Sequence, residues 1–179
     1  PPGTPSPKIC PGGHYCQSNA SEPVICPAGT YCSFGSTVPA VCEAGTYCPE
    51  GSTIPTICPL GMYSHPNVTI NRTSIDAACA PCPRGTFGGD PARLYCDTCW
   101  AGYVCMGNTT RGNPTNVTSH RGMICPKGHY CKNGTIAAVP CERGSFNPGT
   151  GATSADACQP CPRNSFNNHS GSYECKPCG

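Results

Sequence analysis

The sequence is poor in the residues that build hydrophobic cores. Ile, Leu, Val and Phe together number 21 of 179, about 12%, too few to sustain a single large core. Charge is scarce as well, with 11% of residues charged and a net of +2, which sets the chain apart from disordered polyelectrolytes. No run approaches the ~18 apolar residues of a membrane-spanning helix, and no signal peptide opens the chain. The 11 basic residues are dispersed, with Lys127 and Lys132 as their densest pair, so no cationic stripe for nucleic acid is present. The nine acidic residues are scattered, and no motif places two of them as acid and base. The chain is therefore expected not to be an enzyme and to hold no catalytic, cofactor-binding or metal-ligating residues.

What the chain has instead is 19 cysteines. Cross-links restrict the unfolded ensemble and so substitute for buried area, and they persist in an oxidising compartment. Glycosylation signals agree with secretion to the extracellular space or cell surface. Sequons stand at Asn19, Asn67, Asn71, Asn108, Asn116, Asn133 and Asn168, whereas Asn113 is followed by Pro114 and is expected to be skipped. Covalent N-glycans are the only attached groups expected, and no cofactor or metal.

An opener recurs along the chain: CPGGHYC at 10–16, CPAGTYC at 26–32, CEAGTYC at 42–48 and CPKGHYC at 125–131. Degenerate forms begin at Cys58, Cys82, Cys99, Cys141 and Cys161, which makes nine complete repeats, several of them 16 residues long. The expected divisions are a Pro-rich lead-in at 1–9, three 16-residue Cys-x5-Cys repeats at 10–57, and two longer repeats at 58–98. Two further Cys-x5-Cys repeats follow at 99–140, the first with a long glycosylated insertion, then two longer repeats at 141–177 and the start of another at 178–179. The pattern is expected to continue beyond both ends.

Three residues after each opening cysteine stands glycine, except in the ninth repeat, where it is Asn164. Asn is the residue that, after Gly, best tolerates a left-handed backbone, so this exchange predicts a turn with positive φ. Nine residues after the opener, Gly35, Gly51 and Gly134 alternate with the sequon residues Asn19 and Asn108, predicting glycans on solvent-facing turn apices. Five after the opener runs a ladder of Tyr15, Tyr31, Tyr47, Tyr63, Phe87, Tyr130, Phe146 and Phe166, broken only by Val104. Each ring is expected to stack on its own disulfide and on the next repeat. Ile9, Ile25, Val41, Ile57 and Ile124, each just before an opener, are expected to seal the junctions. Prolines such as Pro23, Pro39 and Pro55 argue against long strands or helices. His14 and His129 share a position where other repeats carry Thr or Ser, which marks a variable surface site. Trp100 replaces the usual proline after an opener; packing on its own disulfide and service as an exposed anchor are both open.

A register swap constrains the pairing of cysteines. Five repeats carry a second cysteine six after the opener, at Cys16, Cys32, Cys48, Cys105 and Cys131. The other four have Ser64, Gly88, Asn147 and Asn167 there and gain a cysteine three before the next opener, at Cys79, Cys96, Cys158 and Cys175. Each repeat thus owns two cysteines, which points to Cys10–Cys16, Cys26–Cys32, Cys42–Cys48, Cys58–Cys79, Cys82–Cys96, Cys99–Cys105, Cys125–Cys131, Cys141–Cys158 and Cys161–Cys175, with Cys178 left over. Staggered pairs such as Cys16–Cys26 and Cys32–Cys42 are also permitted by the short repeats alone. Two stretches, Cys79-x2-Cys82 with Cys96-x2-Cys99 and Cys158-x2-Cys161 with Cys175-x2-Cys178, imitate the spacing of a zinc ribbon.

The motifs CPAGTYC and CPRGTFG, with the closing phrases TSIDAAC at 73–79 and TSADAC at 153–158, resemble the cysteine-rich repeats of the ephrin-receptor type, related in style to those of tumour necrosis factor receptors. The resemblance implies a small, disulfide-rich fold: an elongated rod of about nine short β-hairpin or turn modules stacked linearly, with little helix. At about 10 Å per module the rod would be on the order of 90 Å long. Similar repeats occur in receptor ectodomains and in protist and algal surface glycoproteins, including those of flagellar hairs (mastigonemes). The Pro-rich PPGTPSP at 1–7 and the dense sequons point to a structural segment of an extracellular fibre, coat or mastigoneme-like filament, its partners being itself or other surface glycoproteins. The alternative is a receptor or adhesion ectodomain that binds a protein ligand.

Overall fold

The computed structural model describes residues 9–18, 22–64 and 71–179. Among them the fold is a series of two-stranded antiparallel hairpins, one per repeat, with two short helical turns and no large core. The strands pair His14–Tyr15 with Val24–Ile25, Thr30–Tyr31 with Ala40–Val41, and Thr46–Tyr47 with Thr56–Ile57. Met62–Ser64 then pairs with Cys79–Pro81, Thr86–Phe87 with Asp97–Thr98, and Tyr103–Cys105 with Gly122–Ile124. His129–Tyr130 with Val139–Pro140, Ser145–Phe146 with Gln159–Pro160, and Ser165–Phe166 with Lys176–Pro177 complete the series. Prolines bound many of these two- or three-residue strands, as at Pro23, Pro39, Pro55, Pro81, Pro140, Pro160 and Pro177, because a proline lacks the donor that would extend the ladder.

Two turns shape a repeat. The first spans the four residues after the opener and closes by a backbone bond, for example from Thr30 N–H to the Pro27 carbonyl at 3.1 Å and from Ser165 N–H to the Pro162 carbonyl at 3.1 Å. Its third residue has φ of 62–90° in all nine repeats, Asn164 included at 62°, as expected from the Gly-to-Asn exchange. Hydroxyls at the fourth residue reinforce it: Thr30, Thr46, Thr86, Ser145 and Ser165 donate to the carbonyl three residues back. The imidazole of His129 stands in for the hydroxyl, its Nδ1 2.9 Å from the Lys127 carbonyl oxygen, so this histidine closes a turn. The second turn carries Gly35, Gly51, Gly134 and Asn108, again at positive φ. In the longer repeats that conformation falls one residue later, at Ala92 (φ 61°), Gly151 and Gly171, a shift the sequence pattern does not announce.

Neighbouring repeats are joined by backbone groups. The N–H of an opening cysteine donates to the first-turn carbonyl of the previous repeat: Cys26 to Gly13, Cys42 to Gly29, Cys99 to Gly85, Cys125 to Gly102, Cys141 to Gly128 and Cys178 to Asn164, at 2.8–3.1 Å. The second-turn N–H returns a bond to the previous opener, as from Gly35 to the Cys10 carbonyl, Gly134 to Cys99 and Gly171 to Cys141. Because these donors and acceptors are main-chain atoms, the joint survives wide variation of the side chains around it.

By contact density the chain forms two compact bodies, one made of the described residues up to Cys58 with Ser64–Ala80, the other of Pro59–Tyr63 with Pro81–Gly179. The buried hydrophobic residues are mostly half-cystines. In the second body Phe87 packs on Cys99 and Cys105, and Val104 on Cys125 and Cys131. These ladder residues therefore rest on the disulfide of the following repeat, not on their own. Val104, the apparent defect in the ladder, is 1% exposed, since its smaller side chain fits wholly beneath the next bridge. The expectation that the residues before the openers are sealed away is corrected: Ile9 and Val41 are 75% and 74% exposed, and Ile25, Ile57 and Ile124 are exposed too. Hairpins two residues long have one face toward the neighbour and one toward water. Ile25 touches the loop at Gly51 and Ile124 that at Gly151 with only one edge.

Candidate functional site

The structure pairs the cysteines within each repeat: Cys10–Cys16, Cys26–Cys32, Cys42–Cys48, Cys58–Cys79, Cys82–Cys96, Cys99–Cys105, Cys125–Cys131, Cys141–Cys158 and Cys161–Cys175. Their Cα–Cα distances are 5.6–6.3 Å, within the reach of a disulfide. The staggered pairs are not formed. The two ribbon-like spacings fall apart in three dimensions, since Cys79 is bonded back to Cys58, Cys99 forward to Cys105 and Cys158 back to Cys141. Cys178 is exposed and unbonded.

Residues that replace the second cysteine have structural work of their own. Asn147 donates from Nδ2 to the His129 carbonyl at 3.0 Å, and Asn167 from Nδ2 to the Ser145 carbonyl at 2.6 Å. Each acceptor lies four residues after the opener of the preceding repeat, so the amide acts as an extra clamp across the joint. Asn167 Oδ1 also accepts from Gly144 N–H at 2.8 Å. Ser64, fully buried, accepts from Arg72 Nη1 at 2.9 Å. Sequence reasoning registered these positions only as missing cysteines; their recurrence as Asn in two consecutive repeats was the available signal.

The repeat that opens at Cys99 carries a long insertion, and it is folded. Its neck is closed by Met106 N–H to the Arg121 carbonyl at 3.0 Å and by Thr109 Oγ1 to the same carbonyl at 2.9 Å. Thr109 and Pro114 are fully buried, and Gly88 N–H donates to the Thr109 carbonyl of this insertion at 2.9 Å. At the tip, Asn116 Oδ1 accepts from Thr118 N–H and Ser119 N–H at 2.8 and 2.9 Å, an Asx turn. Trp100 anchors the other side. Its ring meets Phe87 edge-on, with ring centroids 6.4 Å apart at 89°, and lies against Gly112, while its backbone N–H donates to the Gly112 carbonyl at 3.1 Å. With 54% of its surface exposed, Trp100 is a half-covered prop for the insertion.

Among the sequon residues, Asn71, Asn116, Asn133 and Asn168 are exposed; Asn19 and Asn67 lie outside the described residues. Asn133 uses Oδ1 to accept from Ala101 N–H at 2.7 Å, which leaves its Nδ2, the atom that carries a glycan, uncommitted. Asn108 corrects the expectation of an open apex. Its Oδ1 is buried without a hydrogen-bond partner, and a Cβ on Gly61 would lie 2.6 Å from it. Its backbone has the expected positive φ of 53°, but the insertion folds the turn inward. Glycopeptide mass mapping of secreted material is expected to find Asn71, Asn116, Asn133 and Asn168 largely occupied. Unmodified asparagines at all four would contradict their reading as accessible sequons.

No known family profile matches the chain. Two curated mouse proteins are similar to parts of it: "Signal peptide, CUB and EGF-like domain-containing protein 2", 32% identical over 80 residues that make up 45% of this chain and 8% of that protein, and "Signal peptide, CUB and EGF-like domain-containing protein 3", 32% identical over 98 residues, again 45% of this chain and 9% of that protein. The chain thus spans less than a tenth of the length of these relatives. No helix among the described residues is long and apolar enough to cross a membrane. With nine disulfides, one hairpin per repeat and this partial similarity, the chain is a cysteine-rich repeat module of the extracellular kind.

Proposed function

We propose that the chain is a non-catalytic structural segment of a secreted glycoprotein fibre, surface coat or flagellar-hair filament, with no cofactor or metal beyond covalent N-glycans. The observation that carries this reading is the joint between repeats. It is made from main-chain groups and recurs from Cys26–Gly13 to Cys178–Asn164 with little change in distance, so repeats add without a dedicated interface for each addition. Disulfides within every repeat resist reduction and proteolysis locally, as a mechanical or protective element requires. Exposed sequons would coat the lateral surface in sugar and limit sideways aggregation. Electron microscopy of material from its natural source tests the assignment. Regular filaments or coats containing the chain are expected, and dispersed single molecules that capture a protein ligand would overturn it.

The second reading is a module of a receptor or adhesion ectodomain. The mouse relatives favour it, because the stretch resembling this chain occupies only 8–9% of each, so such repeats also occur as small parts of larger multidomain chains. This reading expects ligand binding that persists in the monomer.

A further inference from the structure

Beyond the scaffold role, the neck of the insertion gathers arginines that make no ion pair among the described residues. Between Asp97 and Glu142 the chain has no acidic residue, but it carries Arg111, Arg121, Lys127 and Lys132. Packing adds Arg84 from the preceding repeat: its side chain lies beside Gly107, whose added Cβ would stand 3.7 Å from Arg84 Cγ. Arg121 sits across the same four residues, its carbonyl taking the bonds from Met106 and Thr109. Arg111 follows two residues after Thr109, where Thr110 N–H reaches the His120 carbonyl at 3.4 Å. Arg84, Arg111 and Arg121 are all exposed, and among the described residues the only ion pairs belong to Arg93, with Asp90 and Asp97.

Arg121 holds a left-handed backbone, φ 54°, which costs a non-glycine residue energy and draws attention to what the side chain does there. The exposed sequon of the insertion, Asn116, stands at its tip and not at the neck. Three guanidinium forks with no acidic partner match the paired oxygens of sulfate esters, which Arg engages in bidentate fashion. We propose that this neck, through Arg84, Arg111 and Arg121, docks a sulfated extracellular polysaccharide. The inference rests on secretion and is independent of the fibre reading.

The glycosylated 179-residue chain from a secreting eukaryotic host, applied to immobilised heparin as the sulfated probe, tests it. Retention above physiological salt is expected, with log affinity falling against log salt at a slope of about −2 to −3, by counterion release from about three contacts. The triple variant R84Q/R111Q/R121Q is expected to lose that retention, R84K/R111K/R121K to keep part of it, and R143Q/R163Q, which removes distant charges, to elute as the parent does. A non-reducing peptide map identical to the parent's shows that the triple variant is folded; should it misfold, the lysine variant, which keeps charge but loses the forks, decides by eluting earlier than the parent. Equal retention of the parent on desulfated heparin, tighter binding to phosphatidylserine vesicles than to heparin, or an unshifted triple variant would each overturn the proposal.

Discussion

Replacing Cys58 and Cys79 together with serine is expected to lower stability by about 3 kcal/mol, against about 2 kcal/mol for the same change at Cys10 and Cys16. The first bridge closes a sequence separation of 21 and the second one of 6, and the entropy that a cross-link removes from the unfolded chain grows with the logarithm of loop length. The damage should also spread further. Inside the longer loop lie the helical turn Ile75–Ala78, capped by Ser74, and the buried bond from Arg72 to Ser64. The Arg72 carbonyl in turn accepts from Cys48 N–H of the preceding repeat at 2.8 Å, so opening this loop loosens the joint behind it. Urea unfolding of the two double variants, with proteolysis under native conditions to locate the opened segment, reads both effects. Equal losses, or cleavage confined to 58–79, would mean that loop entropy and the Cys48–Arg72 joint do not govern stability here.

Alanine at Gly128 is expected to cost at least 3 kcal/mol and alanine at Gly144 only about 1 kcal/mol, although the two glycines occupy the same place in successive repeats. Both have positive φ, 74° and 81°, and the left-handed conformation alone penalises an L-residue by about 1–2 kcal/mol. The difference lies in what a Cβ would meet. At Gly128 it would run into the Gly171 carbonyl, 2.5 Å from its carbon and 3.1 Å from that of Ser172, whereas at Gly144 there is nothing within 4 Å. Overpacking against main-chain atoms cannot be relieved by a rotamer change and adds about 1–3 kcal/mol. Gly144→Asn should be nearly neutral, because Asn164 already holds the equivalent turn. Chemical denaturation of the three variants checks this, and comparable losses at both positions would show that the approach of the second turn is not as close as it stands here.

How much of this was legible beforehand follows from the range over which each interaction acts. The first turn was readable because one residue, Asn164, stood where eight repeats have glycine, and φ is a property of that residue alone. The pairing of cysteines within repeats was readable from the register swap for the same reason: both partners and the loop between them lie in one stretch of sequence. The ladder and its contact with the next repeat are legible from the sequence, but the stacking on its own bridge is not found, since Phe87 rests on Cys99 and Cys105. Periodicity is identical for either arrangement.

By itself, then, the sequence determined the repeat, its turns, its scarcity of core and its intrarepeat bridges, all of which depend on backbone propensity and covalent chemistry across at most about twenty residues. Only the tertiary structure decided that Asn147 and Asn167 clamp neighbouring repeats, that Asn108 faces inward against Gly61, that the residues before the openers remain in water, and that Arg84 joins Arg121 at the neck of the insertion. Those outcomes turn on how one repeat is set against another. That geometry comes from main-chain hydrogen bonds which nearly every residue supplies equally, so side-chain identity leaves little trace of it in the sequence.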